Sequence, residues 1–119
     1  MEFFEIRGGD IIEGTITPAG NKNEALPVLA ASLLADEPVK ITNLPDILDV
    51  RIMLEIMEDM GVILNRIDEH TVEIDPRNIS DKPLSRELCG KVRTSILFAG
   101  PLLAKVGSVI LPPPGGDII

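Results

Sequence analysis

The stretch Gly20-Asn21-Lys22-Asn23-Glu24-Ala25-Leu26-Pro27 sets a turn directly against the start of an apolar helix, and this junction constrains the chain more than any other. Gly20 and Asn21 are turn residues, and either Asn21 or Asn23 suits the cap of the helix that follows. Leu26, Leu29, Ala30 and Leu33 then recur at i, i+3, i+4 and i+7, which predicts one buried face as far as about Ala35. Pro27 fits best near the first turn, where a missing N–H costs least. A helix start leaves backbone N–H groups unpaired and carries partial positive charge, so it attracts phosphate or carboxylate. Lys22 adds a full charge at that point. Alone, the segment reads first as a solvated lysine beside a capping asparagine.

At 119 residues the chain is about one domain. With 45% hydrophobic residues but 3 Phe, no Trp and no Tyr, its core must be aliphatic. A net charge of -8 argues against a general nucleic-acid or anionic-membrane surface, so an anionic ligand needs a local cluster of cations. A single Cys89 excludes an internal disulfide and suits a reducing cytosol. With one His70 beside it, no zinc site of the usual kind can form, and no metal or cofactor is expected. Glu2, Glu5, Arg7 and Asp10 argue against a signal peptide. The apolar runs 26–35 and 96–104 are too short to span a bilayer, and a cytoplasmic location is expected.

Along the chain, Phe3 to Arg7 and Ile11 to Thr17 read as a hairpin turning at Gly8-Gly9-Asp10. Val39 to Thr42 is a short strand. The Asn43-Leu44-Pro45-Asp46 turn follows, with Asp46 or Asp49 as the cap of a second helix. Val50, Met53, Leu54, Met57 and Met60 form its apolar stripe, and Gly61 ends it. Val62 to Ile67 and Thr71 to Ile74 read as a second hairpin with His70 exposed at its tip. After a polar connector, a third helix is expected from about Ser85 or Cys89 to Lys105, kinked at Pro101. Val109 to Leu111 is a last strand before the open loop Pro112 to Ile119. Residues 22–35 also lie over residues 91–104 at an offset of 69, with Lys22 on Lys91 and Leu33-Leu34-Ala35 on Leu102-Leu103-Ala104. A period of that length is a whole supersecondary unit, so like neighbours are expected around both helices.

The order of Gly20 to Pro27, Asn43-Leu44-Pro45-Asp46, Val92-Arg93-Thr94-Ser95-Ile96 and Pro114-Gly115-Gly116 closely resembles the UDP-N-acetylglucosamine 1-carboxyvinyltransferase family over the whole chain. The resemblance implies an α/β fold of repeated βαβαββ units, here one unit plus the start of a second. It implies two domains with the active site between them, residues 1–19 being a hairpin of the second domain and residues 20–119 an incomplete first domain. The remainder of the enzyme chain is thus an expected partner.

The activity implied is transfer of the enolpyruvyl group from phosphoenolpyruvate to the 3-hydroxyl of UDP-N-acetylglucosamine, in peptidoglycan precursor synthesis. Lys22 is then expected to contact phosphoenolpyruvate, and Asn23 the nucleotide sugar. Arg93 suits a phosphate held by two parallel hydrogen bonds, while Lys91 reads as solvated. Most of the family has cysteine after the paired glycines. Asp117 stands there instead, as in some members, which puts the nucleophile in doubt but leaves a proton donor, and fosfomycin insensitivity is expected. Cys89 does not fill the vacant place: it is far along the chain and reads as a small core hydrophobe. Glu55, Glu58 and Asp59 read as a solvated face.

Two alternatives remain at this point. The related 5-enolpyruvylshikimate-3-phosphate synthase is disfavoured, because Asn23 and Pro27 stand where it typically has serine and arginine. A non-catalytic module that binds a UDP-sugar or associates with other chains is the other. The family's further arginine beyond the loop, and the arginine and aspartate of its other domain, are not among these residues, so the chain alone is expected to be inactive.

Overall fold

A computed structural model describes residues 1–116. The leucine stripe forms as expected. Helix α1 (Lys22–Ser32) buries Ala25, Leu26, Leu29 and Ala30, with Leu33 closing its end. Asn21 is the cap, its side-chain oxygen accepting from the Glu24 N–H at 3.2 Å. Pro27 sits in the sixth position rather than the first turn. The Asn23 carbonyl therefore loses its usual i+4 donor, which is tolerable because Asn23 and Pro27 both face solvent.

Helix α2 (Leu48–Asp59) lies against α1. Val50, Met53, Leu54, Met57 and Met60 are all buried, so two aliphatic stripes form the core between the helices. The expected aspartate cap is absent: Ile47 occupies the cap position and makes no side-chain bond. Asp46 is instead held by Arg51, which donates from Nε and Nη2 at 2.7 and 2.6 Å. A bidentate guanidinium pair outcompetes a single capping bond. Gly61 takes φ 100, and a Cβ there would lie 2.5 Å from the Asn78 carbonyl oxygen, so the helix stops where only glycine fits.

Strands β1 (Val39–Ile41), β2 (Ile63–Asp68) and β3 (Thr71–Asp75) form an antiparallel sheet in the order β1-β3-β2. The central strand alternates, with Val72 and Ile74 buried at 2% and 0% exposure. Val39 and Leu64 both pair with Ile74 from opposite sides, and Ile41 and Arg66 with Val72. The β2–β3 tip turns through Glu69 and His70. His70 accepts the Leu44 N–H on its carbonyl at 2.9 Å, and its Nδ1 bonds the Leu44 carbonyl at 2.7 Å. The hairpin tip is thereby tied to the turn before α2, where Asn43 adopts φ 56.

Four further expectations fail. Residues 1–19 contain no strand, and Phe3, Phe4, Ile6, Ile11 and Ile12 are 81–97% exposed. An isolated two-stranded hairpin is marginal in water, and no third strand is offered to it here. The expected third helix is three pieces: α3 (Arg86–Cys89), a 3-10 segment (Arg93–Phe98) and α4 (Ala99–Val106). Gly90 ends the first piece, and Val92 is extended at φ -137. Pro101 is the third residue of α4, where its missing N–H would have had no helical partner, so it opens a helix rather than kinking one. Residues 109–111 form no strand, although Leu84 donates to the Ile110 carbonyl at 3.2 Å. The two segments related by the offset of 69 consequently have unlike neighbours: a hairpin precedes only the second, and a strand follows only the first.

Among the described residues no helix is long and apolar enough to cross a membrane. Leu29, with 0% exposure, belongs to the buried cluster that α1 and α2 share. Leu29→Ala is expected to cost about 2–5 kcal/mol of stability, read from urea unfolding; a loss well below 1 kcal/mol would mean that this cluster is not the core.

Candidate functional site

The starts of α1 and of the 3-10 segment open onto one cleft of about 360 Å³. From α1 come Lys22, Asn23 and Leu26. Asp49 comes from the first turn of α2, and Lys91, Val92, Arg93 and Thr94 from the other side. Lys22, Asn23 and Arg93, named from the sequence, are thus brought together across 70 residues of chain. Because Asn21 carries out the capping, the Lys22 and Asn23 side chains are left exposed for other partners.

Lys91, read as solvated, also lines the cleft, with an exposed pair to Glu87 at 3.2 Å. Lys22 Nζ lies 2.5 Å from Asp49 Oδ2. Arg93 has no ion-pair partner among the described residues. The cleft therefore presents three cations against one carboxylate in a chain whose net charge is -8. That is the local cluster an anionic ligand requires. The Thr94 hydroxyl is buried without a hydrogen-bond partner among the described residues. A larger hollow of about 390 Å³ on another side of α1 is lined by Glu24 and by no cation.

The open loop is seated on the turn that leads to Arg93. Gly115 donates to the Cys89 carbonyl at 2.9 Å and to the Val92 carbonyl at 3.2 Å. A Cβ at Gly115 would run into the Gly90 carbonyl oxygen, so a glycine is required for this approach. Gly116 then joins the cleft wall. Asp117, the expected proton donor, lies outside the described residues. Cys89 does pack as a core hydrophobe at 0% exposure, and burial pushes its thiol pKa up. Although distant in sequence, its backbone is what anchors the loop.

Two carboxylates held down by arginine lie outside the cleft lining. Hydrogen bonds from the Arg77 side chain and backbone hold Asp75 down to about 2, and the Arg51 guanidinium lowers Asp46. His70 is exposed at the hairpin tip, as expected, but its ring is tied to Leu44 and stands outside the cleft lining. Two members of the acidic run are not simply solvated: Glu58 faces Arg66 at 3.7 Å and Asp59 faces Lys82 at 3.1 Å. Among the described residues no three His, Cys, Asp or Glu side chains group as metal ligands.

The sequence reading missed Asp49 as a partner of Lys22, and Lys91 and Thr94 as cleft residues. The 69-residue offset pairing Lys22 with Lys91 hinted at one of them, and the Val92 to Ile96 motif contained Thr94 without marking it.

Comparison with known proteins gives a consistent result. A family model described as EPSP synthase (3-phosphoshikimate 1-carboxyvinyltransferase) matches residues 6–117. The UDP-N-acetylglucosamine 1-carboxyvinyltransferase of Treponema denticola is 43% identical over 119 residues, 100% of this chain and 28% of that protein. The protein of that name from Bradyrhizobium diazoefficiens is 45% identical over 114 residues, 96% of this chain and 26% of its own length. Among solved structures, the enolpyruvyl transferase NikO from Streptomyces tendae matches with a TM-score of 0.69 at 26% identity, over 84% of this chain and 23% of that one. The chain spans about a quarter of the length of the curated relatives it matches.

The loop seat makes a specific demand on Gly115. Gly115→Ala is expected to cost about 1–3 kcal/mol and to abolish hydrogen-exchange protection of the residue 115 amide. Unchanged stability with the amide still protected would show that the loop is not seated on the Cys89 and Val92 carbonyls.

Proposed function

Because the chain belongs to the EPSP synthase (3-phosphoshikimate 1-carboxyvinyltransferase) family, we propose that it supplies one wall of an active site that transfers the enolpyruvyl group of phosphoenolpyruvate to the 3-hydroxyl of UDP-N-acetylglucosamine. The supporting observation is the convergence of Lys22, Asn23 and Arg93 on one cationic cleft. The relatives at 43% and 45% identity carry the UDP-sugar name. Asn23 and Pro27 favour that substrate over shikimate 3-phosphate, as their residue types indicated. On this reading the protein works in the cytoplasm, in peptidoglycan precursor synthesis. The rest of the site comes from residues equivalent to those outside the matched quarter of its relatives.

The chemistry assigns each side chain a task. Both substrates are anionic. Lys22 and Arg93 hold phosphate or carboxylate oxygens, Arg93 by two parallel hydrogen bonds. Asn23 offers an amide to the nucleotide sugar. As the sugar 3-hydroxyl gives up its proton to a base and its oxygen bonds to C2 of phosphoenolpyruvate, C3 must receive a proton. Loss of phosphate, with a proton leaving C3, then restores the double bond.

Asp117 is the proposed donor or relay for the first proton. An ordinary aspartate pKa near 3.9 leaves about one molecule in a thousand protonated at pH 7. Substrate negative charge and a closed loop both raise that pKa, so protonation follows closure. The same residue explains the expected insensitivity to fosfomycin. A thiolate opens an epoxide readily, whereas a carboxylate is a far poorer nucleophile.

A chimera carrying this chain in place of the matching segment of the Treponema denticola relative tests the reading. The chimera is expected to turn over both substrates, and the 119-residue chain alone is not. Lys22→Ala should weaken the use of phosphoenolpyruvate, and Asn23→Ala that of the sugar, by about ten- to a hundredfold, as for a lost charge-assisted hydrogen bond. Asp117→Asn should cripple turnover with sugar binding nearly intact, while Asp117→Cys should stay active and gain sensitivity to fosfomycin. Unchanged constants for the Lys22 and Asn23 variants would sink the site assignment, and a fully active Asp117→Asn enzyme would remove the acid role.

A further inference from the structure

The Lys22–Asp49 pair joins the first turns of two different helices at the wall of the cleft. Asp49 is not spent on capping α2, whose cap position is Ile47 with no side-chain bond. Its carboxylate instead meets the Lys22 ammonium at 2.5 Å, with the two side chains 31% and 53% exposed. An ion pair that open to water adds little to stability, because solvent and salt screen it. Its geometric effect is larger. A lysine is a point charge on a flexible four-carbon stem with three N–H donors. A carboxylate that takes one donor fixes the stem and leaves two donors for a ligand. Lys91 and Arg93 keep the cleft cationic although Asp49 offsets part of the Lys22 charge.

We propose that Asp49 is a positioning residue that holds the Lys22 ammonium in place to receive an oxygen of phosphoenolpyruvate. This rests on the reading of Lys22 as a substrate-binding lysine. Pre-organisation lowers the ordering cost that binding would otherwise carry. The rival physical effect is simple neutralisation, in which Asp49 only reduces the pull of Lys22 on anions. The two effects have opposite signs. Removing a positioning group weakens binding, whereas removing a neutralising charge strengthens it.

Two measurements separate them. In the chimeric enzyme, Asp49→Ala is expected to raise the KM for phosphoenolpyruvate about tenfold. Asp49→Asn, which keeps an oxygen acceptor, should raise it less. Asp49→Ala should add nothing further once Lys22 is already alanine, as expected for residues acting through one contact. In the 119-residue chain, carbon relaxation of the Lys22 ε-methylene should report a restrained side chain that becomes mobile in Asp49→Ala. An equal or lower KM, or a Lys22 side chain no more mobile without Asp49, overturns the inference. If the unaltered chimera has no activity, the enzyme reading fails and the relaxation result alone decides the role of Asp49. Should Asp49→Ala not fold, Asp49→Asn is read in the same two ways, with partial loosening of Lys22 expected and none contradicting the inference.

Discussion

The packing of α1 on α2 is the contact on which the rest depends. Leu26, Leu29 and Leu33 meet Met53, Met57 and Met60 in a core whose only buried aromatic, among the described residues, is Phe98. Methionine is unbranched and fills irregular gaps, which suits a core without tryptophan or tyrosine. That packing brings two helix starts to the same side and sets Lys22 within reach of Asp49. Without it the cleft would lose one wall and its only carboxylate among the described residues lining it.

The remaining elements hold this arrangement from outside. The sheet covers the core with Val72 and Ile74, and its hairpin tip clasps the Leu44 backbone just ahead of α2. Lys105, on α4, reaches the Ala35 carbonyl just past the end of α1, so the C-terminal helix is tied to the first. The turn between Cys89 and Val92 has two duties. Its carbonyls seat Gly115, and it leads directly to Arg93. The position of the loop and that of the arginine thus share one support.

What was legible in the sequence had its partner nearby. The α1 and α2 stripes, β1 and the β2–β3 hairpin each carry a local period and meet a complementary surface within the described chain. Phe3 to Thr17 shows an equally good strand pattern, yet a two-stranded hairpin is marginal alone and no third strand joins it among the described residues. Leucine and alanine cluster at 97–104, and the helical pattern read there carries back over the break at Gly90. Lys22 and Arg93 stand out as cations near helix starts, but their grouping with Asn23 as candidate site residues comes from the family resemblance. The Lys22–Asp49 pair was not legible, because it crosses between helices, and no spacing within one element announces such a contact. Asp46 caps no helix for a related reason: it pairs with an arginine five residues on, a spacing that no helical i+3 or i+4 pattern announces.

The central claim is that this cleft, rather than the larger cation-free hollow beside α1, receives the anionic substrates. Amide shift mapping of the 119-residue chain titrated with UDP-N-acetylglucosamine tests it directly. The account predicts changes confined to residues 22–26, Asp49 and 91–94, with the amides of Ala19, Val28 and Ile41 unmoved. Shifts concentrated at those last three residues, or none at Lys22, Asn23 and Arg93 at saturating sugar nucleotide, would contradict it.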